Sequence, residues 1–338
     1  MEYMSAAWFV VLVFGASPAA QATMEANTDI AAARAEAWGQ QEPGQAATST
    51  DDAKLGPPAS LVDARGAVKL RLIPGGVFAM GCTGRGRGCD SDERPAHAVE
   101  VTRPFYMAET ETTNAQYGRC VEAGVCAAPR DRLAFDDPPQ ADHPVVHVSW
   151  NDATSFCLWI DGRLPTEAEW EYTARGGIAA PTFPWGDDKP VCRFEARNGA
   201  KFDDDDLCDD TGTEPAGSYP ANGYGIYDTA GNVWEWVDDW YDESYYGRAP
   251  RADPSGPSSG TLRIMRGGSW LSAPVRLRVT NRLGSHPGSQ LQNAGFRCAR
   301  SAGPGAAPDD RTPLSLRQLG GQVGTALAGL PLGEMILP

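Results

Sequence analysis

Two sets of side chains in this sequence have the types and spacing to do chemistry: eight cysteines and the acidic, tryptophan-rich segment "DTAGNVWEW" from Asp228 to Trp236. Cys82/Cys89 and Cys120/Cys126 are close pairs, Cys192/Cys208 bracket an acidic stretch, and Cys157 and Cys298 remain as a long-range pair. No C-x-x-C occurs, so zinc-ribbon and thioredoxin-type readings have no support. The even count reads as four structural disulfides in an oxidising compartment, against the other reading of free or metal-binding thiols. In the acidic segment, Asp228 and Glu235 offer hard carboxylate oxygens, and Gly231 and Val233 can turn backbone carbonyls toward the same ion. That is a calcium donor set, with Trp234 and Trp236 stiffening the loop. Plain surface carboxylates are the competing reading. Four histidines complete the inventory. His143 and His147 lie in an extended stretch with Pro144, which places their rings about 13 Å apart at about 3.3 Å per residue. They do not share an ion at that distance. His97 and His286 sit in separate segments, so a two-histidine-plus-carboxylate iron site is poorly supported.

The elements that must position these residues are legible at helix starts. Thr113 precedes Gln116 by three, Ser149 precedes Asp152 and Thr166 precedes Glu169, each pairing a cap oxygen with a first-turn amide. After Ser149, the spacing of Ala153, Phe156, Cys157 and Ile160 predicts a buried helical face that carries Cys157 inward. Gly124 and Gly176 stand where helix C-terminal glycines belong. The runs "GGVFAMG", "HAVEVTRPFYMAE" and "HPVVHVSW" read as strands or extended connections. With 38 Gly, 27 Pro and 10 Trp, no repeat period and no βαβ alternation, the chain is expected to be an irregular, loop-rich α+β domain. Most of its tryptophans read as core, and an exposed subset would line a groove for an extended peptide or a glycan.

Around that domain the composition changes. The apolar stretch Ala6–Ala16, followed by Ala20-Gln21-Ala22, has the form of a secretory signal peptide over residues 1–22, and it is too short to span a bilayer. Residues 23–63 lack periodic apolar positions and read as a disordered linker, residues 64–300 as the folded domain, and residues 301–338 as a low-complexity tail that is loose or forms a short helix. These readings make the mature chain secreted or periplasmic, without a transmembrane segment. The net charge of −15 repels a phosphate backbone, and "TGRGRG" at Thr83–Gly88 holds only two arginines, so nucleic acid is excluded as a partner.

Four segments occur in a telling order: "IPGGVFAMG" (Ile73–Gly81), "HPVVHVSWNDATSFCLWIDGRLPTEAEWEYTARGG" (His143–Gly177), "NGYGIYDTAGNVWEWVDDWY" (Asn222–Tyr241) and "RIMRGGSW" to "NAGFRCAR" (Arg263–Arg300). As a set they resemble the formylglycine-generating enzyme family, also called the sulfatase-modifying factor domain. The resemblance implies one irregular α+β domain, distantly similar to C-type lectins, with structural calcium. It assigns calcium ligands to Asp228, Gly231, Val233 and Glu235. A second calcium site would draw on Asn198 and the Asp203–Asp210 cluster, Asp209 included, where a solvated acidic loop is the other reading.

Active members of that family convert a substrate cysteine to formylglycine through copper(I) held by two thiolates just after the "GGS" turn. Here the first position is Ser272 and the second falls between Pro274 and Leu277, with no cysteine anywhere from Asp209 to Arg297. A serine oxygen is a hard donor that does not ionise near neutral pH, so copper is not expected. Of the family's two disulfides, Cys157 to Cys298 has both halves, while the other would need cysteines near Ala174 and Val279 and has neither. The expectation is a calcium-stabilised module for a peptide or protein ligand, a sulfatase-like protein among the candidates. Its groove would centre on Ser269, Trp270 and Ser272, with Arg278 and Arg282 as charged walls. The alternative is a formylglycine-generating-type oxidoreductase.

Overall fold

The computed structural model describes residues 59–83, 88–203, 208 and 212–302. The expected signal peptide, linker residues 23–58, tail residues 303–338 and Asp209 lie outside the described residues. The folded part starts earlier than expected, because Ser60–Asp63, assigned above to the linker, forms strand β1. Four residues are too few to show a period. They are held by antiparallel pairing to β2 (Val68–Ile73) and by Leu61 packing on the core.

Three sheets follow. β1, β2, β5 (Phe105–Ala108) and β10 (Ala299–Ser301) form the first, every neighbour antiparallel, so the last strand closes on the first part of the chain. β3 (Gly76–Met80) and β4 (His97–Val101) form a two-stranded ribbon. In the third sheet β6 (Trp234–Trp240) lies between β7 (Arg263–Arg266), antiparallel, and β9 (Ala294–Phe296), parallel, with β8 (Leu283–Ser285) at the edge. The stretch "HPVVHVSW" forms no strand. It makes a single bridge from Pro144 to Thr113, and His147 takes a left-handed conformation at φ 58°.

All three helix starts appear as read: α1 (Asn114–Glu122), α2 (Trp150–Trp159) and α3 (Glu167–Ala174) each begin with a reciprocal capping box, from Thr113 to Gln116, Ser149 to Asp152 and Thr166 to Glu169. Gly124 follows α1 at φ 71°, with its own amide on the Val121 carbonyl and the Val125 amide on that of Cys120, a pair of bonds that ends a helix without strain only at glycine. The inward face of α2 is also as expected: Ala153, Phe156, Cys157 and Ile160 are buried. Phe156 stacks on Tyr117 and meets Phe296 edge-on, and Cys157 is bonded to Cys298 across 141 residues. The other six cysteines pair as 82–89, 120–126 and 192–208, which leaves no free thiol. No helix among the described residues is long and apolar enough to cross a membrane.

A buried ion pair joins the sheets. Arg297, between β9 and β10, grips Glu235 of β6 with two parallel bonds of 2.6 Å, while the Trp170 indole of α3 donates to the same carboxylate at 2.8 Å. Further guanidinium bonds reach the carbonyls of Tyr227, Ala108 and Glu109. All three side chains are buried.

Two outcomes test this frame. Peptide mapping without reductant should recover Cys157 joined to Cys298, and the double alanine variant should lose about 4 kcal/mol or more, since the bridge closes so long a loop. Arg297→Met should cost about 3–5 kcal/mol in denaturant unfolding, because it strands a buried carboxylate, and adding Glu235→Gln should recover part of that loss.

Candidate functional site

The loop carrying the calcium donor set leaves no room for alternatives in its backbone. Gly231 turns at φ 86°, and a Cβ there would stand 2.2 Å from the Lys201 carbonyl oxygen. Asp228 and Asn232 are also left-handed, at φ 53° and 58°, a region in which Asp and Asn are the usual non-glycine residues. The Gly231 amide bonds to the Gly267 carbonyl, the Asn232 amide to Lys201, and the Trp270 amide to the Asn232 carbonyl. The acidic loop and the "GGSW" turn, separate motifs in the sequence, are thus one hydrogen-bonded unit.

The charges of this unit do not balance. Asp228 Oδ2 accepts the Gly217 amide, the Asp228 carboxylate is hydrogen-bonded to the carboxyl of the fully buried Glu111, and among the described residues no other donor reaches Asp228 Oδ1 or the Glu111 oxygens. Burial and the neighbouring Asp228 charge push the Glu111 carboxyl well above the usual range, and burial pushes Asp228 up to about 6. Both effects come from taking like charges out of water. Three carboxylates, Glu111, Asp228 and Glu235, sit around the single guanidinium of Arg297. Glu111 was missed in the sequence because it lies just before the α1 cap, with nothing local to mark it as buried.

At the turn where the family's thiols would stand, hydroxyls have a structural task. The Ser269 amide donates to Ser272 Oγ at 3.0 Å, the two hydroxyls are 3.1 Å apart, and Asn293 donates to Ser269 Oγ at 3.1 Å. Pro274–Leu277 forms a short 3-10 turn that buries Leu277 against Phe183, Phe202 and Ala230. Ala174 and Val279, where the second family disulfide would be, are both fully buried in one apolar cluster with Trp170, Val237 and Ile264.

The structure corrects the expected groove. Ser269, Ser272, Arg278 and Arg282 are buried, and only Trp270 of that set is partly exposed. Arg278 is bidentate to Glu93 at 2.6 Å, and Arg282 holds Glu167 at 2.7 and 3.0 Å while its guanidinium lies 4.3 Å from the Tyr246 ring. These partners are 185 and 115 residues away in sequence, so nothing local distinguished a wall from an interior ion pair. Burial alone would raise the Glu93 carboxyl. The Arg278 and Thr280 hydrogen bonds and the Arg278 charge outweigh burial and hold it below the ordinary range. Glu171 is held down in the same way, by Arg175 and Arg266 against burial.

Among the described residues, two groups of three side chains bring potential metal ligands together: Cys82, Cys89 and Glu93, and Asp90, Asp92 and Glu93. The first is a disulfide beside a carboxylate that Arg278 holds. In the second, Asp90 and Glu93 are neutralised by Arg276 and Arg278. No histidine joins either group: His143 meets Thr213, His97 meets the Pro95 carbonyl, and His286 accepts the Gly288 amide. Asn198 spends its side-chain N–H on the Lys189 carbonyl, and the rest of the weaker acidic site falls largely outside the described residues.

Comparison with known proteins agrees with this arrangement. The family model of the sulfatase-modifying factor enzyme 1-like domain matches residues 62–302. A formylglycine-generating enzyme from Streptomyces coelicolor is 39% identical over 299 residues, covering 74% of this chain and 94% of that protein. A mouse protein named inactive C-alpha-formylglycine-generating enzyme 2 is 44% identical over 168 residues, covering 47% of this chain and 50% of its own length. Among solved structures, PvdO from Pseudomonas aeruginosa superposes with a TM-score of 0.61 at 29% identity, covering 74% of this chain and all of that one. Because the matched span runs from β1 to β10 and takes in the Gly231 loop, the "GGSW" turn and Arg297, the chain belongs to the sulfatase-modifying factor enzyme 1-like domain family.

Proposed function

We propose that this chain is an exported, calcium-stabilised member of the family that binds a peptide or protein ligand and does not perform copper-dependent oxidation. One observation carries the reading: a thiolate pair is required to hold copper(I), and here Ser272 stands in the first position while all eight cysteines are committed to four disulfides. Two hydroxyls 3.1 Å apart, each already used in the turn, do not fit that metal. Apolar contact between the regions of Ala174 and Val279 supports the same view, since the thiols there have been replaced as a pair. Four disulfides also favour an oxidising compartment.

Calcium fits the other end of the unit. Asp228 and Glu111 face each other as a buried carboxyl pair with no further donor on Asp228 Oδ1 or the Glu111 oxygens, a juxtaposition that a hard divalent cation would relieve. Asp228, with the carbonyls of Gly231 and Val233, would hold the ion, and Glu235, already fastened to Arg297, would contribute its remaining lone pairs. When bound, the ion supplies charge balance to the carboxylate cluster. A second reading, a formylglycine-generating-type oxidoreductase acting on a sulfatase-like substrate, is favoured by the names of relatives at 34–39% identity.

Two measurements separate these readings. Calcium should raise the melting temperature, by an amount equivalent to about 2.7 kcal/mol when the free ion is at a hundred times its dissociation constant, and Asp228→Ala should abolish the increase. An unchanged melting point between chelator and millimolar calcium counts against the site. For the chemistry, incubating the protein with a cysteine-containing sulfatase peptide, with and without copper, should give no loss of sulfur by mass spectrometry. Turnover above a no-enzyme control would establish the oxidoreductase reading. Ser272→Cys alone should remain inactive, because one thiolate does not complete a two-thiolate site.

A further inference from the structure

Of the four disulfides, Cys82–Cys89 is the one that no apolar cluster of the described residues contains; the other three are built into such clusters or packed against them. Cys82 is buried and Cys89 is partly exposed. A carboxylate oxygen of Glu93 lies within 4.8 Å of both sulfurs, and Arg278 holds that carboxylate with two bonds of 2.6 Å, so its charge is already met. The S–S bond is not what keeps the two cysteines together. The Cys82 amide donates to the Glu93 carbonyl at 2.9 Å, and the amide of Asp90, next to Cys89, donates to Glu93 Oε1 at 3.2 Å. Both sulfur-bearing ends are thus tied to one residue, itself fixed by Arg278 and Thr280. Across a separation of seven residues the bond also restricts the unfolded chain less than the bridge across 141 does. Opening it leaves two thiols held close enough to join again.

The pair borders the turn. A Cβ built on Gly88 would stand 3.3 Å from Val275 Cγ2, and Arg276 bonds Asp90 at 2.8 Å. Val275 and Arg276 belong to Pro274–Leu277, the short turn described above, and Val275 is 45% exposed, an apolar surface beside the residue that precedes Cys89. We propose that Cys89 is a thiol–disulfide exchange site for a cysteine-bearing peptide whose neighbouring apolar residue lies on Val275. The peptide thiolate attacks Cys89 Sγ, the bond to Cys82 breaks, and its electron pair leaves on Cys82 Sγ, which takes up the proton the peptide thiol gave up. One peptide thiol and one protein disulfide give one mixed disulfide at Cys89 and one thiol at Cys82, so no further oxidant is required. Cys82, kept in place through Glu93, reverses the step and releases the peptide. The exchange uses no calcium ligand and breaks no carbon–sulfur bond, so it stands apart from both readings of the function given above.

Non-reducing peptide mapping of the intact protein tests it. The protein is incubated with a blocked Leu-Cys-Gly peptide, a blocked Gly-Cys-Gly peptide or N-acetylcysteine amide at equal concentration, then quenched in acid and alkylated. Peptide should be found on Cys89 and the alkyl group on Cys82, about tenfold or more faster than Cys192–Cys208 opens, although Cys192 is also partly exposed. Leu-Cys-Gly should outpace the other two thiols about threefold or more, and Val275→Asp should remove that advantage. Cys82→Ser, loaded with the same peptide through its thiopyridyl disulfide, should keep the peptide once the excess is removed, whereas the unmodified sequence loaded by exchange should release it and restore the bond to Cys82. Exchange no faster than at Cys192–Cys208, or peptide on Cys82 in place of Cys89, overturns the site. Equal rates for the three thiols overturn the peptide as its partner. The rates of the unmodified sequence decide both points whether or not the variants fold.

Discussion

The pairing of Arg297 with Glu235 is the constraint on which the rest of the structure depends. One guanidinium, buried without access to water, satisfies a carboxylate on the central strand and carbonyls from two other stretches of chain, while the same carboxylate accepts the indole of α3. An isolated charge in that position would cost several kcal/mol in desolvation, so the pair tolerates only one arrangement of the segments that supply its donors. A loop-rich chain with little regular secondary structure gains a defined interior in this way. The disulfide from Cys157 to Cys298 sits one residue beyond Arg297 and clamps α2 to the same strand end.

The same device recurs where a groove was expected. Arg282, Glu167, Arg266, Glu171 and Arg175 form a connected series of buried ion pairs, and Glu93 with Arg278 forms a separate one. The arginines serve the scaffold and are not open to a ligand.

Against this balanced interior, the Asp228 cluster stands out because three carboxyl groups, Glu111, Asp228 and Glu235, gather around the one guanidinium of Arg297. Ser272 at the turn and the apolar packing of Ala174 and Val279 sit within the family frame. The turn, the capped helices and the acidic loop remain joined by hydrogen bonds. The donors at the turn are the hydroxyl oxygens of Ser269 and Ser272, and those of the acidic loop are carboxyl oxygens.

Much of the fold was legible in the sequence wherever its cause is local. Capping boxes at Thr113, Ser149 and Thr166 need only residues three apart, Gly124 and Gly231 answer to their own backbone angles, and the inward face of α2 follows from the helical repeat. The absence of cysteine from Asp209 to Arg297 is likewise a property of composition over one segment. Strand β1 was not legible, because four residues carry no period and are held by pairing to β2. The burial of Arg278 and Arg282 and the buried pairing of Glu111 with Asp228 were decided by tertiary structure alone. Each depends on partners far apart in the chain, and whether a charged side chain faces water or a distant counter-charge is set only when the chain closes on itself.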